Sequence, residues 1–171
     1  MSFRCLIGAL SIGITSTLVA QEAILPERVM PLKFGLAEND FAQERPLQAA
    51  LELGFRAIEV DVFLASNQLK VGHSVMDLKS RGTFEEVYLA PLKRLQESKS
   101  GLIQNGGEPL ILFVGFKSDG RPCYQALQPL LAKYADLLTN VKDQQQSLGA
   151  VSIILSGDPP RELIEIGRAH V

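Results

Sequence analysis

Two apolar segments constrain the fold of this chain most strongly: residues 110–116 (LILFVGF) and residues 151–155 (VSIIL). Short apolar runs bounded by turn residues are typical of strands that are buried on both faces of a sheet. Between them, Tyr124–Leu138 carries leucines and a tyrosine at helical spacing. Strands that alternate with helices predict an α/β fold in which helices cover a parallel sheet.

The rest of the chain continues this alternation. Thr83 and Glu86 have the spacing of a capping box, which predicts a helix that continues through Leu95. Pro46 is suited to a first helical position, and Gly54 to the end of that helix. The other predicted elements are strands at 32–36 and 57–64, a turn at 105–107 and a helix that begins at Pro160. The sequence therefore predicts four strands.

The predicted strand at 57–64 carries two carboxylates, Glu59 and Asp61, which alternate with three aliphatic residues. Alternate side chains of a strand share a face, so both carboxylates should project from the same side. His73 follows a few residues later. Paired oxygen ligands beside an imidazole suit a divalent cation and an acid/base group acting on a phosphate ester. The alternative is an ordinary edge strand with one solvated face and an unrelated histidine.

Length and charge narrow the classes of function. The chain has 171 residues, which is enough for one domain with a real core. The formal net charge of −2 gives no reason to expect nucleic acid or an anionic membrane as a partner.

The N-terminus has the pattern of a secretory signal peptide over residues 1–20. Arg4 supplies a positive charge, residues 5–20 are apolar and small, and Ala20 precedes a plausible cleavage site. A transmembrane anchor is the alternative, but the segment is shorter than the roughly 20 residues needed to span a bilayer. After cleavage, Cys123 would be the one remaining cysteine. We therefore expect a secreted or periplasmic protein of the bacterial envelope, without a stable membrane anchor.

Several ordered motifs carry a family resemblance. They are END before ERPL, then IEVDVFL, LKVGH, TFEEVYLAPL, LILFVGFKSDG and VSIILSG, spanning about residues 34–160. In this order they resemble the glycerophosphodiester phosphodiesterase-like (PLC-like phosphodiesterase) superfamily, in its branch of bacterial proteins similar to altered inheritance of mitochondria protein 6. The resemblance implies a TIM-barrel fold, hydrolysis of glycerophosphodiester or phospholipid-type substrates, and a site at the C-terminal ends of the strands.

The resemblance also implies roles for individual residues. Glu59 and Asp61 match the two metal-binding carboxylates of the family, and His73 matches its second catalytic histidine. Glu38 stands where the first catalytic histidine normally precedes Asn-Asp. Gly115 stands where a third acidic metal ligand is normal, two residues before a lysine. This chain therefore lacks one acid/base partner and one metal ligand of the family pattern.

The expected site follows from these matches. The cofactor would be a divalent cation, Mg²⁺ or Ca²⁺, held by Glu59 and Asp61. His73 and Glu38 would be the catalytic pair, although Glu38 is also suited to be a metal ligand or a solvated loop residue. Lys117 and Asn39 would contact the substrate, a small phosphodiester or a lipid headgroup. The alternatives are that Lys117 only ends a strand and that Asn39 only shapes a turn.

The C-terminus suggests an incomplete domain. A barrel of this class needs about 250 residues and eight strands, so residues 32–164 would be its N-terminal half. The last seven residues, EIGRAHV, match a translation of a common sequencing adapter, and we expect residues 165–171 to be non-native. Three interpretations remain: a fragment of a metal-dependent phosphodiesterase, with intact or impaired activity; a catalytically inactive relative that binds phosphorylated ligands; or a small α/β protein without an active site.

Overall fold

A computed structural model describes residues 29–32, 34–98, 101, 103, 107–142 and 145–165. The predicted signal segment, most of the predicted turn at 105–107 and the tail beyond Glu165 lie outside these residues. The strands are β1 (Leu36–Ala37), β2 (Ala57–Ala65), β3 (Gln68–Val71), β4 (Leu110–Phe116), β5 (Asn140–Lys142), β6 (Gln145–Ser147) and β7 (Val151–Gly157). The α-helices are α1 (Gln48–Glu52), α2 (Ala90–Ser98), α3 (Gly120–Lys133) and α4 (Arg161–Glu165).

The central sheet is mostly parallel. Its strands follow the order β1-β2-β4-β7, and every neighbouring pair on this path is parallel. β3 pairs antiparallel with the C-terminal part of β2. These four parallel strands are the four that the sequence predicts, and the α/β class is confirmed.

One face of the sheet forms the core. Ile58, Val60 and Val62 of β2 are fully buried, as the alternation in the sequence predicts. On β4, Leu112 is aligned with Ile58 and Val114 with Val60, and both are also fully buried. They pack in one cluster with side chains from the helical segments: Tyr88, Leu89, Leu92, Leu127 and Leu131. Burial of this apolar surface is the main force that holds the helices against the sheet.

The opposite face is less covered. Ile111 and Phe113 of β4 and Ile154 of β7 are only partly buried. The expectation that β4 is buried on both faces is therefore wrong for the described residues. The carboxylates of β2 project from this same open face.

Three predicted boundaries differ from the structure. The strand expected at 32–36 is reduced to β1, and the backbone N–H of Leu32 donates to the carbonyl of Gly54, just after the first helix. α1 begins at Gln48 and not at Pro46, since Leu47 has a φ of 62° that no helix accommodates. α3 begins before the expected Tyr124, where the carboxylate of Asp119 accepts a hydrogen bond from the N–H of Arg121.

The capping box is confirmed in both directions. The hydroxyl of Thr83 accepts from the N–H of Glu86 at 3.1 Å, and the Glu86 carboxylate accepts from the N–H of Thr83 at 2.8 Å. A π-helical segment, Glu85–Leu89, follows the cap and continues into α2. This π-helical segment ends two residues before Pro91, which has no backbone N–H to donate to the preceding turn.

Two hairpins were not predicted. Ser66 and Asn67 both have positive φ, 51° and 59°, and join β2 to β3 in the manner of a tight two-residue hairpin turn. β5 and β6 form a separate antiparallel pair. Within the described part of the chain, no helix is both long and apolar enough to cross a membrane.

Candidate functional site

The register of the parallel strands decides which side chains meet at the site. Asp61 is aligned with Gly115 on β4, and Gly115 is aligned with Ser156 on β7. These three residues therefore form one row across the open face, near the C-terminal ends of their strands. Glu59 stands one row closer to the N-terminal ends, aligned with Phe113. Both carboxylates share the face that the sequence predicts for them.

Asp61 is the centre of the site. Its side chain is only 3% exposed, and its Oδ2 lies 3.2 Å from Nζ of Lys117. Nε2 of His73 is 4.0 Å from the same oxygen. The other oxygen, Oδ1, is buried and has no hydrogen-bond partner among the described residues. Burial raises the pKa of Asp61 above its ordinary value, and the Lys117 ammonium partly opposes this effect.

His73 lies in a tight loop directly after β3. The imidazole is largely solvent-accessible, with 64% of the side chain exposed. The backbone is fixed from the other side, because Oδ2 of Asp77 accepts hydrogen bonds from the N–H of His73 and from the N–H and hydroxyl of Ser74. The hydrogen bonds from Ser74 lower the pKa of Asp77. Asp77 therefore holds the loop that presents His73 beside Asp61.

Two of the predicted site residues, Glu38 and Asn39, lie in the first loop. Glu38 and Asn39 follow β1 in an exposed turn, and Asn39 has a φ of 49°. Asparagine tolerates this left-handed conformation better than most residues, which accounts for its position in the turn. Among the described contacts, no hydrogen bond joins Glu38 or Asn39 to Asp61 or His73. Their assignment to catalysis and substrate binding remains a prediction.

The neighbouring carboxylate, Asp40, has a structural environment. It is almost fully buried, and its Oδ2 accepts hydrogen bonds from the N–H of Leu47 at 2.6 Å and from the Tyr88 hydroxyl at 2.9 Å. Burial raises the pKa of Asp40, while both hydrogen bonds act to lower it. Asp40 thus joins the first loop to the π-helical segment.

The chemistry of a metal site is present only in part. No three His, Cys, Asp or Glu side chains of the described residues lie close enough together to hold a metal ion. Gly115 offers no carboxylate in the row of Asp61. The two carboxylates of β2 are nevertheless hard oxygen donors, and the unpartnered Oδ1 of Asp61 is a buried acceptor that a cation would satisfy. Among the described residues, Glu59 and Asp61 supply only part of a coordination shell for a divalent cation.

Sequence reasoning missed two serines at the C-terminal ends of β4 and β7. Ser156 ends the row that contains Asp61 and Gly115, and the hydroxyl of Ser118 accepts from the N–H of Leu64 at 3.0 Å. A serine directly after an apolar strand is the signal that would have indicated each of them, since parallel strands carry their site residues at these ends.

A match to a family model settles the affiliation of the chain. Residues 25–170 match the AIM6-like phosphodiesterase domain. The chain belongs to the AIM6-like phosphodiesterase family. The resemblance carried by its motifs is therefore confirmed at the level of this branch. No solved structure has significant similarity to the chain.

Individual relatives agree with the family match. A homolog of altered inheritance of mitochondria protein 6 from Arthroderma benhamiae is 29% identical over 72% of this chain and 46% of its own length. Proteins of that name from Eremothecium gossypii and Lachancea thermotolerans are 26% and 30% identical, each over 74% of this chain, but over 37% and 34% of their own lengths. The chain thus spans less than half the length of these relatives.

The relatives also correct one expectation. All three are fungal proteins whose name refers to the inheritance of mitochondria. The expectation of a secreted or periplasmic protein of the bacterial envelope is therefore wrong. It depended on the apolar segment at residues 1–20, where a short hydrophobic run after one basic residue does not distinguish between destinations.

Proposed function

We propose that this chain forms part of a metal-dependent phosphoric diester hydrolase that acts on small glycerophosphodiesters or phospholipid headgroups. The observation that supports the proposal is the convergence of Lys117 and His73 on Asp61, at 3.2 and 4.0 Å from one carboxylate oxygen. Three different segments supply these residues: β2, the loop after β3 and the end of β4. A cationic group and an imidazole beside carboxylates suit the charge stabilisation and proton transfer of phosphodiester hydrolysis.

His73 is the proposed acid. In hydrolysis, a water oxygen bonds to phosphorus while the bond from phosphorus to the leaving alcohol oxygen breaks. That oxygen takes a proton from the protonated imidazole, which is left neutral. The exposed ring is accessible to such a substrate. A positioned proton donor typically contributes about 10²–10⁴-fold to the rate. Glu38 is proposed to accept the proton of the attacking water, and Asn39 to contact the substrate.

Lys117 is proposed to bind the phosphate. Its ammonium is a compact charge that neutralises a phosphate oxygen without fixing its orientation. Glu59 and Asp61 would hold the divalent cation. When bound, the cation would stabilise the negative charge that develops on the phosphate oxygens in the transition state.

A second candidate function is the binding of phosphorylated ligands without turnover. Gly115 in the row of Asp61 favours this alternative, because it removes the third acidic ligand of the family pattern. The glutamate at position 38 also favours it, since a carboxylate there lacks the imidazole that the family uses as its first acid/base group.

The open face of the sheet supports a proposal for the complete fold. β1, β2, β4 and β7 follow one another in the sheet in chain order, which suits the first strands of a TIM barrel. The partly buried Ile111, Phe113 and Ile154 would then face the barrel interior. A chain extended with the C-terminal half of a relative should protect the amides of β7 from hydrogen exchange more strongly than the 171-residue chain does.

Turnover of a chromogenic phosphodiester in the presence of Mg²⁺ or Ca²⁺ tests the proposed activity. His73→Ala should reduce the rate by about 10²-fold or more, and Asp61→Asn by a similar factor. Asp136→Asn is the matched control, because it changes an exposed carboxylate whose partner is Lys93 and not one of the proposed site residues. Binding of a phosphodiester without turnover in the wild-type chain would replace the hydrolase by the second candidate.

A further inference from the structure

Arg81 contacts one of the two loops that carry the proposed acid/base groups and supports the other. The first loop is residues 38–43, after β1, and the His73 loop is residues 72–77, after β3. Nη1 of Arg81 donates a hydrogen bond to the backbone carbonyl of Phe41 in the first loop. The guanidinium carbon also lies 5.9 Å from the centroid of the Phe41 ring, a distance that suits a cation–π interaction. Two contacts therefore hold the side chain of Arg81 against the first loop.

The same residue supports the His73 loop. The backbone N–H of Arg81 donates to the carbonyl of Asp77 at 3.2 Å. The hydrogen bonds from Ser74 lower the pKa of the Asp77 carboxyl most strongly, and the positive charge of Arg81 also lowers it. The guanidinium thus favours the charged form of the carboxylate that accepts three hydrogen bonds from His73 and Ser74.

Stability of the fold alone does not account for this position of the guanidinium. Nε of Arg81 is buried and has no hydrogen-bond partner among the described residues, which is destabilising. Tyr88 already joins the first loop to the π-helical segment through Asp40. What Arg81 adds is a connection between the two loops, and local departures from full hydrogen bonding are expected where a residue serves a site.

We propose that Arg81 is a positioning residue that fixes the first loop relative to the His73 loop, and so sets the distance between Glu38 and the His73 imidazole. The inference rests on the proposed function, because that function takes Glu38 and His73 as the groups that accept and donate protons at one substrate. Each group must lie within hydrogen-bond reach of the substrate, so a shift of either loop reduces the rate.

Hydrogen exchange followed by NMR on the full chain tests this connection without any ligand. The amides of residues 42 and 43 report on the first loop, because both donate to carbonyls within it. Asp77→Ala disturbs the His73 loop, and it should speed exchange at residues 42 and 43 by about twofold or more, because Arg81 transmits the change. In the Arg81→Gln background, the same substitution should have no further effect on these two amides.

Two controls separate positioning from a general loss of stability. The amide of Thr139 is held by a backbone hydrogen bond of 2.7 Å to β7 and should keep its rate in every variant. Arg121→Gln is the matched control, since it removes an exposed arginine that pairs with the exposed Glu162. In the Arg121→Gln background, Asp77→Ala should still speed exchange at residues 42 and 43.

Turnover of the chromogenic phosphodiester gives a second readout. Arg81→Gln should lower kcat by about tenfold or more with little change in KM, because it displaces the acid and the base and leaves the phosphate-binding Lys117 unchanged. Arg81→Lys keeps a positive charge and an N–H donor, so it should recover part of the lost kcat.

The outcomes separate the two proposals. If Asp77→Ala speeds exchange at residues 42 and 43 equally with and without Arg81, or speeds Thr139 as much, the positioning role is overturned and the hydrolase is not. An unchanged kcat in an active Arg81→Gln chain would also overturn it. If the wild-type chain binds the phosphodiester without turnover, the second candidate replaces the hydrolase, and the exchange rates alone decide whether Arg81 connects the loops.

Discussion

The hydroxyl of Tyr88 donates a hydrogen bond of 2.9 Å to Oδ2 of Asp40, and both residues are buried. Asp40 belongs to the END motif, which by resemblance lies next to the catalytic position of the family, yet its contacts here are structural. Burial raises the pKa of the Tyr88 hydroxyl, and the Asp40 charge raises it further, so that the hydroxyl stays a donor at all ordinary pH values. The motif therefore combines a structural aspartate with neighbours in an exposed turn.

Loss of the Tyr88 hydroxyl should destabilise the fold. Tyr88→Phe leaves the buried Asp40 carboxylate with one donor fewer, which should lower the free energy of unfolding by about 1–3 kcal/mol. Urea denaturation followed by circular dichroism measures this change. Tyr134→Phe is the matched control, since the partner of that hydroxyl, Glu85, is 30% exposed and can be solvated by water instead. An equal loss in both variants would contradict the structural role of Asp40.

The buried Asp40 should also give stability a characteristic pH dependence. Its pKa in the folded chain is raised above the unfolded value of about 3.9. Protonation thus favours the folded state, and the stability that it provides is present below about pH 3.9 and is lost as the pH rises through the folded pKa. Asp40→Asn cannot ionise at this position and should not show this loss.

Unfolding free energies of both chains between about pH 4 and pH 7 test this expectation. The wild-type chain should lose stability relative to Asp40→Asn as the pH rises, since the remaining carboxylates titrate in the same way in both chains. A constant difference across the range would show that Asp40 has the same pKa in the folded and unfolded states.

Asp77 should control the order of the loop that carries His73. Asp77→Ala removes the acceptor of three hydrogen bonds, so the amides of His73 and Ser74 should exchange with solvent about tenfold faster. Hydrogen exchange followed by NMR measures this rate directly. The amide of Thr83, held by Glu86, is an internal control and should keep its rate. Unchanged exchange at residues 73 and 74 would mean that the loop is held by other contacts.

Restoring the family pattern should increase activity. Glu38→His supplies the missing imidazole, and Gly115→Asp supplies the missing carboxylate, so the double variant should turn over a phosphodiester faster than either single variant. A side chain at 115 must displace Oδ1 of Asp61, and we therefore expect Gly115→Asp to break the ion pair with Lys117 as well. His73→Ala in the double variant should remove the gain, because acid, base and cation act on one transition state.

Local sequence patterns predicted much of the architecture. The alternation of Ile58, Val60 and Val62 with two carboxylates identified the buried and polar faces of β2, since side chains of a strand alternate by geometry alone. The capping box at Thr83 and Glu86 could also be predicted from the sequence, because all of its hydrogen bonds lie within four residues. The helix boundaries were less accurate, since α1 depends on the positive φ of Leu47, which no local preference of leucine favours.

The sequence by itself determined the α/β class, the four parallel strands and the face on which Glu59 and Asp61 project. Only the tertiary structure decided which residues surround Asp61. The register that aligns Asp61 with Gly115 and Ser156 joins strands about 40 or more residues apart, and it is set by packing of the whole core. The ion pair with Lys117 forms beside that row, where the absence of a side chain at Gly115 leaves room for Oδ1 of Asp61.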